Sequence, residues 1–125
     1  MSVLVDTSVW VGHFRRRDEA LLALLLRDDV LTHPLVVGEL ACGTPPAPRE
    51  RTLRDIERLR PAQQATWFEI RALIERERLW GLGCGLIDVS LLASAMMTPG
   101  ARLWTLDRRL DDVARRFDVA HDRTE

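Results

Sequence analysis

Four acidic residues interrupt otherwise apolar stretches of this chain, and any fold has to accommodate their charge. Asp6 and Asp107 directly follow short apolar runs, whereas Glu39 and Asp88 lie inside longer ones. Carboxylates are seldom buried unless they are paired with a cation or bound to a metal. The chain has no lysine, and no arginine lies within three residues of Asp6, Glu39 or Asp88. These four acids are therefore the first candidates for a functional site.

The first apolar run, residues 3–5, is short and rich in β-branched side chains, which is typical of a buried strand in a parallel sheet. Asp6 then lies at the carboxyl end of that strand, where ligands bind in open α/β sheets. A competing interpretation is that Asp6 only caps the following helix, since Asp is favoured at the N-cap position. Thr7 and Ser8 are also suited to capping that helix. The sequence alone leaves these roles open.

The alternation of apolar strand runs with helical patterns predicts an α/β fold around a parallel sheet. We expect strands at residues 3–5, 30–33 and 101–106, and a short edge strand at residues 119–120. The segments with helical spacing are residues 7–14, 20–27, 34–43, 49–60, 62–78, 86–97 and 107–117. No internal linker or repeat divides the chain, so we expect residues 1–125 to form one domain.

Composition excludes several classes of protein. Hydrophobic residues make up 46% of the 125 residues, which argues against intrinsic disorder. No apolar run is long enough to span a bilayer, and no charged leader precedes an apolar segment, so we expect a cytoplasmic protein without a membrane partner. Cys42 and Cys84 match no zinc or redox spacing, and we expect both thiols to be free.

The 18 basic residues of the lysine and arginine class are all arginine, and the absence of lysine excludes two kinds of chemistry. A Walker phosphate loop and a Schiff-base enzyme each require a lysine. The net charge of −1 argues against binding nucleic acid through bulk electrostatics. Local pairs such as Arg108 and Arg109 are nevertheless well suited to phosphate groups.

A divalent cation would resolve the repulsion among the four acids if the fold brings them together. Two unit charges about 4 Å apart repel by roughly 4 kcal/mol at an effective dielectric constant of about 20. A site built from oxygen ligands alone favours Mg²⁺ or Mn²⁺ over zinc. His13, His33 and His121 show no ligand spacing, so we expect them to have structural roles.

Three motifs and the helix around Glu39 resemble those of the PIN-domain family, specifically its VapC-type toxins. The motifs are residues 5–10 (VDTSVW), 87–95 (IDVSLLASA) and 103–110 (LWTLDRRL). The resemblance extends over essentially the whole chain. It implies a three-layer α/β/α domain with a central parallel sheet of four to five strands. It also implies a metal-dependent ribonuclease of a bacterial type II toxin–antitoxin (VapBC) module, which forms a homodimer and is neutralised by a VapB antitoxin.

The resemblance also assigns roles to individual side chains. The catalytic acids and metal ligands that it implies are Asp6, Glu39, Asp88 and Asp107. We expect Mg²⁺ as the cofactor, with Mn²⁺ able to substitute, and RNA as the substrate that a metal-activated water cleaves. The hydroxyl groups expected to hydrogen-bond to the ligands are those of Thr7, Ser8 and Thr105. The guanidinium groups expected to bind RNA are those of Arg108 and Arg109.

Other functions fit parts of the same pattern. A phosphoaspartyl phosphatase or a receiver domain would use Asp6 as its nucleophile or phosphate acceptor. Ser8 stands where the phosphatase pattern has a second Asp, and both classes use a lysine, which this chain lacks. A housekeeping RNA-processing nuclease would carry the same acids. A PIN module that binds RNA or protein without catalysis is a further alternative, although the intact acidic set argues against it.

Large apolar side chains suggest a surface for a partner. A small domain seldom carries as many large aromatic residues as this one, which has Trp10, Phe14, Trp67 and Trp80. The leucine-rich segment 21–26 also has little polar surface. Core packing is the competing explanation for the same residues. The resemblance implies that a segment of the antitoxin lies in an apolar groove.

Overall fold

A parallel sheet of four strands forms the centre of residues 1–122, the part of the chain that the computed structural model describes. The strands are β1 (Ser2–Val5), β2 (Val30–Thr32), β3 (Arg60–Pro61) and β4 (Ala101–Trp104). Their order across the sheet is β3-β2-β1-β4, and every neighbouring pair is parallel. The expected parallel sheet of four to five strands is confirmed, with four strands in the described residues.

Seven helices connect and flank these strands within residues 1–122. They are α1 (Thr7–Arg15), α2 (Glu19–Leu26), α3 (Pro34–Cys42), α4 (Arg49–Glu57), α5 (Trp67–Glu77), α6 (Leu86–Met97) and α7 (Arg108–Arg116). The boundaries of α1, α2, α3, α6 and α7 agree with the predicted helices to within one residue. Clear end signals account for this agreement, such as Pro34 in the first turn of α3 and Pro99 shortly after the end of α6.

The helices form two layers, one on each face of the sheet. Helices α1, α3 and α4 pack in one set, and α5, α6 and α7 pack in a second set. The connections explain this division, because the chain moves from β1 to β2 to β3 in one direction and then returns across the sheet to β4. Right-handed crossovers that run in opposite directions place their helices on opposite faces. The result is the three-layer α/β/α arrangement expected from the sequence.

The core includes buried residues from both helical layers, and α6 contributes its longest continuous buried stretch. Leu4 in β1 and Leu103 in β4 are fully buried. Residues 89–95 of α6 are also buried throughout, because the helix contacts β4, α5 and α7. The prediction that the apolar segment 86–97 forms a central helix is therefore confirmed. Asp88, in the first turn of this helix, is only half-buried.

The carboxyl ends of β1 and β4 lie side by side in the sheet. Val5 is the register partner of Trp104, and each is the last residue of its strand. From β1 the chain enters the helical layer that contains α1, and from β4 it enters the layer that contains α7. Adjacent strands whose connections leave toward opposite faces create a crevice at their carboxyl ends, and this is the usual ligand position in open α/β sheets.

The sequence interpretation was wrong in the region between α4 and α5. The charged helix predicted for residues 49–60 ends at Glu57, and Arg60–Pro61 forms the edge strand β3. A two-residue strand has no periodicity that a sequence pattern can show. Proline is tolerated there because a strand at the edge of a sheet has one unpaired side.

The helix predicted from residue 62 begins only at Trp67, as α5. Thr66 caps it, because the Thr66 hydroxyl accepts the Glu69 N–H at 3.2 Å and a Glu69 carboxylate oxygen accepts the Thr66 N–H at 2.8 Å. This reciprocal pair is a capping box, and its Thr-x-x-Glu pattern is a sequence signal that the periodicity argument left out.

On the other side of the sheet, the edge strand predicted at residues 119–120 is reduced to a single bridge between Leu103 and Ala120. The Leu103 N–H donates to the Val119 carbonyl at 2.6 Å, and the His121 N–H donates to the Leu103 carbonyl at 2.9 Å. This short contact covers the outer side of β4.

His33 is buried between β2 and α6 and has the structural role that we expected. Its Nδ1 atom accepts the Leu35 N–H at 3.1 Å at the start of α3. The ring proton therefore lies on Nε2, which donates to the Ser94 hydroxyl at 3.1 Å. Burial lowers the pKa of His33 below its ordinary value, so the neutral ring is favoured in the folded state.

Both cysteines are free thiols, as predicted. Cys42 is exposed at the end of α3, whereas Cys84 is half-buried in the loop before α6. Over residues 1–122, no helix combines the length and the hydropathy that a membrane span requires.

The fold makes a prediction about two leucines of very different environment. Leu103 is 0% exposed and Leu26 is 88% exposed. Leu103→Ala is expected to lower the free energy of unfolding by about 2–5 kcal/mol, because it leaves a cavity beside β1. Leu26→Ala, the matched control, is expected to change it by less than about 0.5 kcal/mol. Urea unfolding monitored by tryptophan fluorescence measures both values, and equal losses would contradict this assignment of the core.

Candidate active site

Asp6 lies at the crevice between β1 and β4. Its N–H donates to the Trp104 carbonyl at 2.9 Å and so continues the pairing of the two strands by one residue. The Asp6 residue is only 6% exposed. Its Oδ2 atom accepts the Ser8 hydroxyl at 2.8 Å and the Thr105 hydroxyl at 2.7 Å. The structure thus places Ser8 against the first acid, as expected, and it also places Thr105 there, although Thr105 was expected beside the last acid, Asp107.

The two hydroxyl groups are themselves fixed by the backbone of the segment after β4. Ser8 Oγ accepts the Leu106 N–H at 3.0 Å, and Thr105 Oγ1 accepts the Asp107 N–H at 3.0 Å. Each hydroxyl has one proton, and both protons point to Asp6. The 3.4 Å contact between the two hydroxyl oxygens therefore adds no hydrogen bond. The result is a carboxylate whose orientation is set from two sides.

The side chain of Asp6 does not act as a helix cap. Asp6 occupies the N-cap position of α1, but its side chain makes no capping hydrogen bond. Thr7 and Ser8 do not cap the helix either, because their hydroxyl groups donate to carboxylates instead. No hydrogen bond among the described residues reaches Oδ1 of Asp6. One oxygen of a nearly buried carboxylate is therefore left for a ligand.

Glu39 is held next to this site by Thr7. The Thr7 hydroxyl donates to Oε1 of Glu39 at 2.6 Å, which connects the first turn of α1 to the middle of α3. Because Thr7 directly follows Asp6 in the chain, this bond fixes the second acid relative to the first. The structure gives Thr7 a different carboxylate from the one that Ser8 contacts.

Asp88 lies in the first turn of α6, where its Oδ2 atom accepts the Gly85 N–H at 3.1 Å. Burial raises the pKa of Asp88 above its ordinary value, and the hydrogen bond from Gly85 opposes this change. The negative charges of Asp6 and Asp107 raise the pKa further. These three acids therefore lie within electrostatic reach of one another, whereas Glu39 is connected to them through Thr7.

Asp107 is exposed and caps α7. Its Oδ1 atom accepts the N–H groups of Arg109 at 2.9 Å and Leu110 at 3.3 Å. Asp107 therefore acts as a helix N-cap, which is the structural role that competes with ligand binding. The cap uses Oδ1 alone, so the other oxygen of Asp107 has no hydrogen-bond donor among the described residues.

Within the described part of the chain, none of the four acids forms an ion pair with an arginine. The ion pairs formed within residues 1–122 involve other carboxylates, on the outer surfaces of the helices and loops. Among residues 1–122, the donors that contact these carboxylates are hydroxyl and backbone N–H groups, which carry no net charge. Such a site attracts cations. Burial raises the pKa of Asp88, and the charges of Asp6 and Asp107 raise it further.

The acids of the described residues do not form a preorganised metal site with three or more protein ligands. In the part of the chain that the structure describes, no group of three or more His, Cys, Asp or Glu side chains is arranged to hold a metal ion. Mg²⁺ does not require such a site, because it keeps several of its waters and is held through one or two carboxylates. The unpaired oxygens of Asp6 and Asp88 are hard donors without a cationic partner, and they fit a hydrated Mg²⁺ ion.

The two arginines that we expected to bind RNA have different surroundings. Arg109 lies across Gly83, in the loop that precedes α6. Arg108 lines a separate cleft, together with Asp111 and His121. Both side chains are exposed. Their RNA-binding role stays a prediction.

Sequence reasoning treated residues 81–85 only as a flexible turn, but residues 83–85 of this loop belong to the site. Its Gly85 N–H binds Asp88, and its Gly83 contacts Arg109. Cys84 lies between them, and burial raises the pKa of its thiol, with further contributions from Asp88 and Asp107. The run Gly-Leu-Gly-Cys-Gly directly before the Asp88 helix is the signal that could have drawn attention to this loop.

The aromatic residues divide between the core and the surface. Trp10 is buried and packs against Phe14, so core packing explains these two. Trp67 and Trp80 are 56% and 57% exposed, and Phe68 beside Trp67 is 83% exposed. The exposed aromatic residues among those that the sequence suggested for a partner therefore lie at the start of α5 and in the loop that follows it, whereas Trp10 of α1 belongs to the core.

Comparisons with known proteins bear on this arrangement. A family model described as PIN domain matches residues 3–116. Ribonuclease VapC32 of Mycobacterium tuberculosis, in strains CDC 1551 / Oshkosh and ATCC 25618 / H37Rv, is 42% identical over 118 residues, which span 94% of this chain and 94% of that protein. The solved structure of VapBC-1 from nontypeable Haemophilus influenzae aligns over 100% of both chains with a TM-score of 0.70 and 13% identity, which shows a common fold.

The raised pKa of Asp88 predicts that this acid lowers the stability of the metal-free protein. Asp88→Asn is expected to raise the urea midpoint at pH 7 in EDTA, because the amide oxygen can still accept the Gly85 N–H while the repulsion from Asp6 and Asp107 is removed. The gain is expected to vanish as the pH falls through the raised pKa, since the carboxyl group of the natural protein is then protonated. The matched control is Asp112→Asn on the exposed side of α7, which should give no gain.

Equal midpoints for the natural protein and Asp88→Asn at pH 7 would contradict this prediction. So would a difference that persists unchanged at a pH where the carboxyl group of Asp88 is neutral.

Proposed function

This chain belongs to the PIN-domain family, and a VapC ribonuclease is among its relatives. From that premise we propose that it is a Mg²⁺-dependent endoribonuclease and the toxin of a type II toxin–antitoxin module. The observation that carries the proposal is the set of acids at the carboxyl ends of β1 and β4. In the part of the chain that the structure describes, these acids have no arginine partner, and one of them is a nearly buried carboxylate with an oxygen that accepts no hydrogen bond.

Asp6 and Asp88 are the residues that would hold the metal ion directly. Asp107 and Glu39 would complete its surroundings or orient the attacking water. When bound, Mg²⁺ lowers the pKa of a coordinated water and stabilises negative charge on the phosphodiester. The donor set supports this choice of ion, because it offers oxygen atoms only and carries uncompensated negative charge.

The chain's own contribution is to hold each carboxylate in place before the substrate arrives. Ser8 and Thr105 donate to one oxygen of Asp6, Thr7 donates to one oxygen of Glu39, and the Gly85 N–H donates to one oxygen of Asp88. Each bond fixes the orientation of a side chain and leaves its second oxygen without a protein donor. Hydrogen bonds of this kind to ligand carboxylates raise metal affinity, and their loss typically lowers affinity or activity about 10- to 100-fold.

RNA is the proposed substrate, and a VapB-type antitoxin is the proposed partner. The name of the mycobacterial relative, a ribonuclease, supports the first assignment, and the VapBC-1 complex with the same fold supports the second. A groove of about 520 Å³ runs beside Glu39 and is lined by apolar side chains that include Phe14, Leu40 and Pro45. An extended or helical antitoxin segment in this groove would lie close enough to place a cation against the unpaired acids. A homodimer is proposed on the basis of the family alone.

The nuclease proposal predicts the behaviour of two conservative variants. Asp6→Asn and Asp88→Asn are each expected to lower the rate of RNA cleavage in Mg²⁺ by a factor on the order of 100 or more, because each removes a charged ligand while keeping the shape of the side chain. EDTA is expected to abolish cleavage by the natural protein. A fluorophore–quencher RNA measures all three rates, with Asp112→Asn as the control that keeps full activity.

Undiminished cleavage in either ligand variant, or in EDTA, would remove the assigned role of these acids. A natural protein that binds RNA in Mg²⁺ but never cleaves it would instead support a binding module without catalysis.

A further inference from the structure

Gly83 is in close contact with the side chain of Arg109, across a long separation in sequence. A Cβ atom built on Gly83 would lie 2.5 Å from Cδ, 2.8 Å from Nη1 and 2.9 Å from Nε of Arg109. No side chain other than hydrogen fits at this position while Arg109 keeps its place. Gly83 also has a φ of +83°, which an L residue rarely adopts. Two independent features therefore require glycine here.

The same loop positions Asp88. Gly85, two residues after Gly83, donates its N–H to Oδ2 of Asp88. Two residues of chain span at most about 7 Å between Cα atoms, so the contacts of the loop with Arg109 and with Asp88 lie close together. One short loop thus sets the spacing between a guanidinium group and a carboxylate of the candidate site.

Arg109 is available for a ligand. Its side chain is exposed, and within residues 1–122 it forms no ion pair and no hydrogen bond with another side chain. This is unusual beside several unpaired acids, to which an arginine is attracted. The end of its side chain lies against Gly83 of the loop, and among the described residues it forms no ion pair with Asp107 or Asp88. The guanidinium donors are left free for an incoming anion.

We propose that Gly83 is a positioning residue that holds the guanidinium group of Arg109 beside the acids, where it contacts a phosphate of the bound RNA next to the scissile one. The inference rests on the proposed nuclease function and deepens it. Phosphate is the ligand class that the planar, permanently charged guanidinium group recognises best. Arg108 lines a separate cleft, beside Asp111 and His121.

The decisive comparison is between two glycines of the same loop. Gly83→Ala places its Cβ against the far, flexible part of Arg109, so the arginine moves and the backbone does not have to. Gly81→Ala is the matched control, because Gly81 has a φ of +72° but nothing within 4 Å of its built Cβ. Both variants carry the same kind of backbone strain, and only one displaces Arg109.

The measurement is the binding of a fluorescein-labelled single-stranded RNA by fluorescence anisotropy, in EDTA to prevent cleavage and over a series of NaCl concentrations. Arg109→Ala and Gly83→Ala are each expected to weaken binding about three- to fivefold, which is the range of one exposed charged contact. The slope of log K against log salt should fall by about 0.7, which corresponds to one lost phosphate contact on a single strand. Gly81→Ala should match the natural protein.

The double variant Gly83→Ala/Arg109→Ala distinguishes a positioning role from a general structural one. If Gly83 acts through Arg109, the double variant binds RNA as Arg109→Ala alone does, because the effects are not additive. In the cleavage assay with Mg²⁺, the same variants should raise KM more than they lower kcat, since the lost contact lies beside the reacting phosphate.

Equal losses in Gly81→Ala and Gly83→Ala, or a further loss in the double variant, would overturn the positioning role. If the natural protein binds and cleaves RNA, and Arg109→Ala does so equally well, the inference is overturned and the nuclease proposal stays intact. A natural protein that neither binds nor cleaves RNA would instead overturn the proposed function, and the inference with it.

Discussion

Repulsion among like charges at the carboxyl ends of β1 and β4 is the constraint on which the site depends. The parallel pairing of Val5 with Trp104 forces the next residues of both strands into one crevice, and both strands are followed by acids. No arginine of the described residues neutralises these acids. Burial raises the pKa of Asp88, and the negative charges of Asp6 and Asp107 raise it further. The fold tolerates the charge because hydroxyl and N–H groups fix one oxygen of each carboxylate. The other oxygen of each carboxylate accepts no hydrogen bond among the described residues and is left for a cation.

The sequence could predict the strands, helices and acids that have strong local signals. Three segments have a sequence pattern that predicts their structure within a few residues: the apolar run before Asp6, the largely apolar segment around residues 89–95, and the apolar run of residues 101–106 before Asp107. An acid placed inside a buried pattern is visible without coordinates, because burial of a lone carboxylate is unfavourable in any fold. The edge strand β3 was missed since two residues carry no period, and its proline argued against a strand.

The contacts that complete the site could not be predicted, because they join residues far apart in the chain. Thr7 and Ser8 are neighbours in sequence, yet they donate to different acids, Glu39 and Asp6. The contact of Gly83 with Arg109 depends on how the loop before α6 lies against the start of α7. Such pairings follow from tertiary packing, on which hydrophobic patterns and capping signals have no bearing. They also decide which arginine of the pair at 108–109 lies near the loop.

The most direct test of the account is anomalous diffraction from a crystal of the protein soaked in Mn²⁺. The account predicts an anomalous peak at the crevice between β1 and β4, within about 2.2 Å of an oxygen of Asp6 or Asp88, with waters completing the coordination. A crevice without a peak at saturating Mn²⁺, or with Asp6 and Asp88 each paired to an arginine, would contradict it.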